Sequence, residues 1–355
     1  GKYRVLRVGN FFTNNNWYYS DLELEDNKYC DKGDLLYAWS ASFGPKIWNE
    51  DKVIYHYHIW KVVPNSDLIG RDYLFHFLNW DTDKIKSDKG SGATMIHITK
   101  GSIEERKIPL PPLTEQQRIV EKLDKLFEKI DKAIALHQKN IDEAEAFMGS
   151  ALDEVFGELG EKYDSKTFGE ISSDVRYGYT AKAKDSGNAL FIRITDIGEN
   201  GKFKDDFVYV DIEEKDLSRF KLQNGDILVA RSGATAGKVA LFDLQHCSVF
   251  ASYLIRIQPT ERIQSPFLFY FCHSPNYWKQ LNEIKIGGAQ PNVNATNLKE
   301  IKISLPPLPI QHKVVTYLDD LSETIERVKT VQKEKMDSLK ALKASILDKA
   351  FRGEL

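Results

Sequence analysis

Apolar residues recur on a seven-residue period through the middle of the chain. Val120, Phe127, Ile134, Ile141, Met148 and Val155 form one seam, and Leu123, Ile130, Ala144 and Ala151 the other. Seam positions sustained over so many heptads predict a helix of about forty residues in a coiled coil. His137 is the one polar seam residue and reads as a register or packing feature rather than a ligand. Ahead of the helix stands Ile108-Pro109-Leu110-Pro111-Pro112-Leu113. Its prolines fix φ and withhold backbone donors, which forces an extended elbow. Thr114 is the expected N-cap, with Gln117 three residues on completing a capping-box spacing.

The whole arrangement occurs twice. Ile303-Ser304-Leu305-Pro306-Pro307-Leu308 repeats the elbow, and the ending Phe156-Gly157-Glu158-Leu159 returns as Phe351-Arg352-Gly353-Glu354-Leu355. An offset of 195 aligns Leu110 with Leu305, Gln116 with Gln311, Leu123 with Leu318, Asp124 with Asp319, Ile130 with Ile325 and Phe156 with Phe351. The second helix carries its seam through Val314, Leu318, Leu321, Ile325, Val328, Leu339, Leu342 and Ile346. Gapless identity at about a third of positions over some fifty residues signals a duplicated domain-plus-helix unit; the period is too long for a solenoid.

The segments between helices read as mixed, β-rich domains. In residues 1–107, Tyr3 to Val8 alternates like a strand, and Lys32-Gly33-Asp34 turns into the strand Leu35 to Ser40. Val53 to Val63 is one further β-like run ending at Pro64-Asn65, and Leu68 to Trp80 has a helical apolar face through Tyr73, Leu74, Phe77 and Leu78. A loop, Lys89-Gly90-Ser91-Gly92, follows. Residues 161–302 repeat the plan: Ala189 to Ile194 answers Tyr3 to Val8, placing Arg193 opposite Arg7, and Asn224 to Ser232 answers Lys32 to Ser40. Pro266 to Leu281 answers the short helix, and Gly287-Gly288-Ala289-Gln290 the loop. The second domain has about 25 additional residues, Lys162 to Gly187, before its first matched strand. The chain opens at Gly1, almost inside the equivalent strand; either it starts part-way through the natural protein or the first domain is naturally shortened, and the absent initiator Met favours the first. The divisions are therefore 1–107, 108–160, 161–302 and 303–355.

Composition narrows the class without naming it. Hydrophobic content of 42% and charged content of 28% are those of an ordinary globular protein of two or three domains. No apolar run of about twenty residues spans a membrane and no leader pattern opens the chain. Three scattered cysteines, Cys30, Cys247 and Cys272, with no Cys-x-x-Cys, point to reduced thiols in a cytoplasmic protein with neither disulfide framework nor zinc site. Net charge is −3. Residues 114–160 are acidic at net −5, residues 1–113 balance, and residues 162–302 are net +2, so a nucleic-acid reader would need its basic residues gathered on one face.

Several loops carry candidate chemistry. Arg231-Ser232-Gly233-Ala234-Thr235-Ala236-Gly237-Lys238 has three residues between its glycines where a phosphate loop needs four, and Val239 where Ser or Thr belongs. A Gly-rich hairpin offering Arg231, Ser232, Thr235 and Lys238 to DNA fits better; a plain solvated turn is the alternative. Its counterpart, Trp39-Ser40-Ala41-Ser42-Phe43-Gly44-Pro45-Lys46, differs where a sequence-specific reader would vary, making Trp39, Ser40, Ser42 and Lys46 candidates. Arg176, Tyr177, Tyr179, Thr180 and Lys182 mix basic, aromatic and hydroxyl groups suited to phosphate and base-edge contact, although ordinary surface has the same look. Gln290, Asn292 and Asn294 offer amides to adenine edges or, equally, build a turn; Ser91 and Thr94 take that place in the first domain. His56-Tyr57-His58 puts two imidazoles on one face of the expected strand, without a third ligand nearby to make a metal site. No methyltransferase Asn/Asp-Pro-Pro-Tyr/Phe motif, S-adenosylmethionine loop or nuclease cluster is present.

Two variable domains, each followed by a Leu-Pro-Pro-Leu elbow, a Gln-containing helix start and a long helix, resemble the specificity subunit of Type I restriction-modification enzymes. The first copy has the family's Pro-Leu-Pro-Pro-Leu-x-Glu-Gln as Pro109 to Gln116; the second departs from it, with Pro309-Ile310-Gln311 in place of Thr114-Glu115-Gln116. Gly225 to Arg231 and Gly287 to Pro291 also look like its target-recognition domains. The resemblance implies an α+β fold: two mixed α/β target-recognition domains separated by two long antiparallel coiled-coil helices, with an internal pseudo-twofold repeat. It implies a non-catalytic DNA-recognition subunit whose domains each read half of a bipartite double-stranded site. The helices, through Leu123, Phe127, Ile130, Ile134, Ile141, Leu318, Leu321, Ile325, Leu339, Leu342 and Ile346, would act as spacer and dock two methyltransferase subunits; a restriction subunit would join. No cofactor is expected in this chain, with S-adenosylmethionine, ATP and Mg on the partner subunits. The alternative is a scaffold whose duplicated domains grip proteins only; divergence of 39–46 from 231–238 speaks against it, since identical partners would want identical loops.

Overall fold

The computed structural model describes residues 1–40, 43–88, 100–198, 201–284 and 292–355. Ser91, Thr94, Ser42 and Gln290, with both Gly-rich loops near residues 90 and 288, lie outside them. The chain forms two compact units, Gly1–Gln138 with Gln332–Leu355, and Lys139–Val331. Each unit holds one domain, the first part of the helix that follows it and the last part of the other long helix.

In the first unit, β1 (Tyr3–Leu6), β2 (Tyr18–Ser20), β3 (Tyr29–Cys30) and β6 (Val53–Tyr55) form one sheet in the order β2-β1-β6-β3. A short helix, α1 (Val8–Phe12), follows β1. The second sheet is β5-β4-β7, from β4 (Leu35–Ala38), β5 (Gly44–Ile47) and β7 (Ile59–Val62). All four residues of β4 are buried, because the strand is covered on both faces. Leu36 and Ala38 pack with Leu6, Phe11, Cys30, Trp48 and Val53, while Leu35 and Tyr37 pack towards α2 (Arg71–Asp88) and the long helices. A continuous apolar run is what such a doubly covered strand requires.

The expected strand Val53 to Val63 is two strands in different sheets. β6 runs parallel to β1, and β7 antiparallel to β4. His56, Tyr57 and His58 make the turn between them, closed by the Ile59 amide donating to the His56 carbonyl. Val8 belongs to α1 rather than to the first strand, and Leu68 precedes the helix expected to contain it and is exposed. A short α3 (Lys100–Glu104) leads to the elbow.

The second unit repeats this plan with additions. β8 (Ser165–Thr167), α5 (Phe168–Ile171) and β9 (Ser172–Tyr177) are built from the residues without counterpart in the first domain. β10 (Ala189–Ile192), β11 (Tyr209–Val210) and β14 (Ser248–Phe250) give one sheet, β11-β10-β14, with α6 (Glu214–Phe220) in the following connection. β12 (Ile227–Ala230), β13 (Val239–Leu241) and β15 (Leu254–Pro259) give the second, and β9 adds to the edge of β15, so the order is β13-β12-β15-β9. Ile227 and Val229 face the helices, and Leu228 and Ala230 the other sheet, as in β4. Where the first unit has α2, the second has α7 (Ser265–Phe271) and α8 (Pro275–Ile284); Pro275 cannot donate within a continuous helix, and the helix is interrupted there. After α9 (Ala295–Leu298), β16 (Lys302–Ser304) pairs with β8 and enters the second elbow.

The long helices are α4 (Leu113–Lys162), 50 residues and about 75 Å at 1.5 Å per residue, and α10 (Leu308–Phe351), 44 residues. Both exceed the expected forty. In the first unit they pair antiparallel: Arg118 donates to the Leu355 carbonyl at 2.8 Å, Asp131 pairs with Lys343 at 2.8 Å, and His137 meets Gln332. In the second unit Lys329 of α10 pairs with Glu145 of α4 at 2.7 Å. His137 thus has the packing role its seam position predicts. The seam itself is wider than two heptad positions. Leu152, Phe156 and Leu159 are buried alongside Ala151, whereas Val328 and Leu342 are exposed, Leu342 at 48%. The helices pack on their domains as well as on each other, and a domain face demands a broader stripe than a coiled-coil partner does.

The elbow is fixed by one buried amide in each unit. Gln116, 1% exposed, accepts from the Gly70 amide at 2.9 Å and donates to the Leu68 and Pro111 carbonyls at 2.9 and 2.8 Å. Gln311, 0% exposed, accepts from the Gln264 amide at 2.8 Å and donates to Arg262 and Pro306 at 3.0 and 2.8 Å. Two turns further, Asp124 meets His76 at 2.9 Å, and its equivalent Asp319 accepts from the Tyr270 hydroxyl at 2.6 Å. The far end of the other helix closes each unit: Phe351 packs on Tyr73, Phe77 and Trp80, and Phe156 on Phe267 and Phe271. The expected capping box at Thr114 is replaced by this arrangement. The Pro112 carbonyl takes the Glu115 and Gln116 amides, Thr114 sits exposed inside the first turn, and Gln117 reaches Glu121.

Replacing Gln116 or Gln311 with Ala leaves a backbone donor and two carbonyls without partners, and each substitution is expected to destabilise its unit by about 3 kcal/mol in urea unfolding. Gln117→Ala, one residue away and exposed, is expected to stay within about 0.5 kcal/mol; equal costs at 116 and 117 would refute the elbow's dependence on the buried amide. A second expectation concerns acid. Burial lowers the pKa of His76 from 6.5, against the opposing pull of Asp124. The unfolded chain therefore takes up this proton first, and the stability owed to neutral His76 is complete above about pH 6.5 and is lost as pH falls further. His76→Gln, which keeps a donor for Asp124, is expected to flatten the loss of stability of the first unit between about pH 7 and about pH 5.

Candidate nucleic-acid interface

In the second unit four segments distant in sequence meet at the end of the β13-β12-β15-β9 sheet. β9 ends at Tyr177, β12 continues into Arg231 and Ser232, β14 and β15 are joined by a turn bearing Tyr253, and residues 292–294 lead into α9. Backbone pairing fixes their register. The Arg231 amide donates to the Tyr253 carbonyl at 2.9 Å, the Val293 amide donates to the Arg231 carbonyl at 2.8 Å, and Ser232 bridges Asn292. The Arg231 guanidinium then lies over the Tyr177 ring, 4.7 Å from its centroid, and donates through Nε to the Asn292 Oδ1 at 3.3 Å. The Tyr177 hydroxyl accepts from the Ala295 amide at 2.9 Å. Among the described residues no carboxylate pairs with Arg231. The result is a guanidinium held by an aromatic face and an amide, with Tyr253 beside it 61% exposed.

Two glycines make the arrangement possible. A Cβ on Gly178 would come within 2.3 Å of the Phe250 and Ala251 carbonyls, so only glycine lets the chain after Tyr177 pass over that strand. Gly237, at φ 95°, lies against Leu281 and Trp278 of α8 and seats the end of the 231–238 loop. Within that loop Gly233–Thr235 forms a 3-10 turn, Thr235 accepts through its carbonyl from the Lys238 amide at 2.9 Å, and Lys238 is exposed.

The remaining residues singled out in the sequence are distributed unevenly. Thr180 and Lys182 are exposed on the segment after Tyr177. Tyr179 packs at a tilt against Phe220, centroids 5.3 Å apart, and is half-buried in the core. Arg176 faces Asp174, which also holds the buried Arg256 at 2.6 Å. Burial pushes Asp174 upward, yet the two guanidiniums outweigh it and hold its carboxyl below the usual range. Asn294 spends its side-chain oxygen capping α9, accepting from the Asn297 amide at 2.7 Å, the turn role weighed for it above.

In the first unit Trp39 occupies the place of Arg231, since its amide donates to the His58 carbonyl at 3.1 Å. Its indole donates to the Tyr57 carbonyl at 3.0 Å and stacks on Trp60, centroids 5.9 Å apart. Ser40 is buried. Strand register sets Lys46 opposite Leu36 inside β5, equivalent to Ala240 rather than to Lys238. Its ammonium donates to the Phe11 carbonyl at 2.9 Å and covers Phe11 and Trp48. His56, Tyr57 and His58 cluster with centroids 4.0–4.9 Å apart in the turn, not along a strand. Among the described residues no group of three His, Cys, Asp or Glu is placed to hold a metal. Of the helix residues named in the sequence, Leu123, Phe127, Ile130, Ile141, Leu318 and Ile325 are buried, and Ile134, Leu321, Leu339 and Ile346 half-buried.

Sequence reasoning passed over Tyr253 and Tyr57, both presented by the turn between the parallel-sheet strand and its successor. Neither carries a sequence signal, since each lies in a run of β-forming residues that reads as continuous strand. It also passed over a cavity of about 920 Å³ in the second unit, walled by Met148, Leu152, Phe203, Phe269 and the Lys329–Glu145 pair. No described helix is long and apolar enough to cross a membrane.

Comparison with known proteins meets this geometry from outside. Residues 1–146 and 161–335 match the Type I restriction modification DNA specificity domain, once for each domain-plus-helix repeat. The chain is 28% identical over 313 residues to the Type I restriction enzyme EcoKI specificity subunit of Escherichia coli K12, covering 83% of this chain and 68% of that one. It is 25% identical to the EcoBI specificity subunit of Escherichia coli over 99% of this chain and 80% of that one. The MjaVIII specificity subunit of Methanocaldococcus jannaschii is 28% identical over 87% and 76% respectively. A structure described as the basis of complex assembly and conformational transition of the type I R-M system superposes with a TM-score of 0.74 at 25% identity, over 92% of this chain and 83% of that one. The HsdS subunit from Thermoanaerobacter tengcongensis shares the fold at a TM-score of 0.50 and 24% identity, over 94% and 84%. With two matched regions that together span most of its length, the chain belongs to the Type I restriction-modification specificity subunit family.

Proposed function

We propose that this chain is the non-catalytic reader of a bipartite double-stranded DNA site, one half per domain. The observation that carries the reading is the pairing of one fold with two different surfaces. The same strand end offers Arg231 on Tyr177, with Asn292, in one unit and Trp39 on Trp60 in the other. Guanidinium and amide groups are the donors and acceptors that distinguish base edges in the major groove, and aromatic faces take apolar contacts. Exposed Lys182, Thr180 and Lys238 flank the second unit's cluster and suit phosphate contact. The long helices are the proposed spacer and dock. Leu136, Phe147 and Tyr317 on them, and Leu110, Leu113 and Leu308 at the elbows, are exposed apolar residues available to methyltransferase subunits, two on the strength of the repeat. A restriction subunit completes the assembly. S-adenosylmethionine, ATP and Mg belong to those partners, and the complex works in the cytoplasm with the DNA.

Selection from a pool of randomised duplexes at fixed salt, by the chain with its methyltransferase partner, is expected to return two conserved blocks with a constant unread gap. Binding that falls with salt and selects no sequence would overturn the reading in favour of a scaffold that grips proteins alone. A paired substitution sharpens the test. Arg231→Ala is expected to erase the preference in one block, at about 1–3 kcal/mol, with the other block intact. Lys46→Ala is expected to lower the stability of the first unit by about 1 kcal/mol while leaving both blocks unchanged.

A further inference from the structure

In both units two parallel strands end side by side, β1 with β6 and β10 with β14. Each first strand is followed by an arginine, Arg7 or Arg193. Backbone bonds fix the neighbours alike: the His56 amide donates to the Leu6 carbonyl and the Ala251 amide to the Ile192 carbonyl, both at 2.9 Å. The two arginines nevertheless have opposite fates. Arg193 is neutralised by buried Asp196, three residues on, through Nη2 to Oδ1 at 2.8 Å and Nε to Oδ2 at 3.2 Å. The residue three beyond Arg7 is Asn10, a neutral amide whose nitrogen is committed to the Asn14 and Asn16 carbonyls at 2.9 Å. Among the described residues no carboxylate pairs with Arg7, and its Nε is buried without a partner.

What holds Arg7 is an aromatic face. Its guanidinium lies 3.9 Å from the centroid of Tyr18, which is 60% exposed. The His56–Tyr57–His58 turn is tied next to it through the Leu6 carbonyl, with Tyr57 69% exposed and His58 against Trp39 at 4.8 Å. Burial, then the charges of His58 and Arg7, lower the pKa of His56. The half-buried, stacked guanidinium has little freedom to swing, and its outer nitrogens form a fork of fixed direction. The second unit has the same device elsewhere, in Arg231 on Tyr177.

Resting on the reading of the chain as a DNA reader, we propose that Arg7, braced by Tyr18 next to the 56–58 turn, is the base-reading cation of the first domain, recognising a guanine edge in its half-site. Cation and aromatic have exchanged places between the units. The first quenches nothing at Arg7 and puts Trp39 at the strand end; the second quenches Arg193 and puts Arg231 there.

The test is duplex selection with the chain and its methyltransferase partner, comparing wild type, Arg7→Ala and Arg7→Lys, each with its urea midpoint recorded. Arg7→Ala is expected to lose a G·C position from one block and to bind the wild-type duplex about tenfold to a hundredfold more weakly, with the other block retained as an internal control. Arg7→Lys keeps the charge and the stem over Tyr18 but not the fork, and is expected to lose the same position; it decides the matter should the alanine variant fail to fold. Retention of the G·C position by Arg7→Lys at wild-type strength would show that no guanidinium fork is read there and overturn the proposal. So would an unchanged pair of blocks in Arg7→Ala, and in that case the bipartite reading survives. A wild-type chain that selects no sequence removes both.

Discussion

The structure depends on a buried primary amide at each elbow. A proline-rich segment carries few backbone donors, and the first turn of a helix has donors without intrahelical acceptors, so the junction of the two is poor in internal hydrogen bonds. Gln116 and Gln311 repair this by bonding three backbone groups each, two in the domain behind and one in the elbow itself. Because donor and acceptors are backbone atoms, the bond set constrains the path of the chain and not the identity of the domain's side chains. A domain can change its surface freely while its attachment to the helix stays the same. His76 and Tyr270 make the point from the other side: different residues, at equivalent positions, satisfy equivalent aspartates.

Each unit is completed by the end of the other repeat's helix. Phe351 fills the space among Tyr73, Phe77 and Trp80, and Phe156 that beside Phe267 and Phe271. Burying an aromatic of this size contributes about 2–3 kcal/mol before packing is counted. A single repeat, domain plus its own helix, would leave that socket empty and its own terminal phenylalanine in water. The two repeats therefore complete each other's cores, which explains why the phenylalanine endings match so closely between copies while the intervening loops do not.

The sequence displayed this framework openly because long helices with a gapless offset keep their register, and because doubly covered strands such as Leu35–Ala38 and Ile227–Ala230 are apolar at every position. It concealed what depends on a change of direction. Val53 to Val63 alternates like one strand, yet the chain turns at 56–58 and moves to another sheet, and no periodicity marks a turn made by His-Tyr-His. The elbow glutamine was visible, but spacing favoured Gln117 over Gln116; only the bonds to Gly70 and Leu68 distinguish them. Lys46 looked like Lys238 by counting, and strand register separates the two. Tyr177, Arg231 and Asn292 lie 54 and 61 residues apart in the sequence. Their convergence belongs to the sheet and to the bridge between Ser232 and Asn292.

A net charge of −3 argues against a surface that attracts DNA by bulk electrostatics. The two units instead control which individual guanidinium is left without a carboxylate. Asp196 at one position, and Asn10 at its equivalent, is a one-residue difference that decides whether the neighbouring arginine is held by a carboxylate or by an aromatic face. Cation–π support supplies orientation where an ion pair would supply neutralisation. An arginine braced on tyrosine keeps its full charge and its fork, and a reader of base edges needs both.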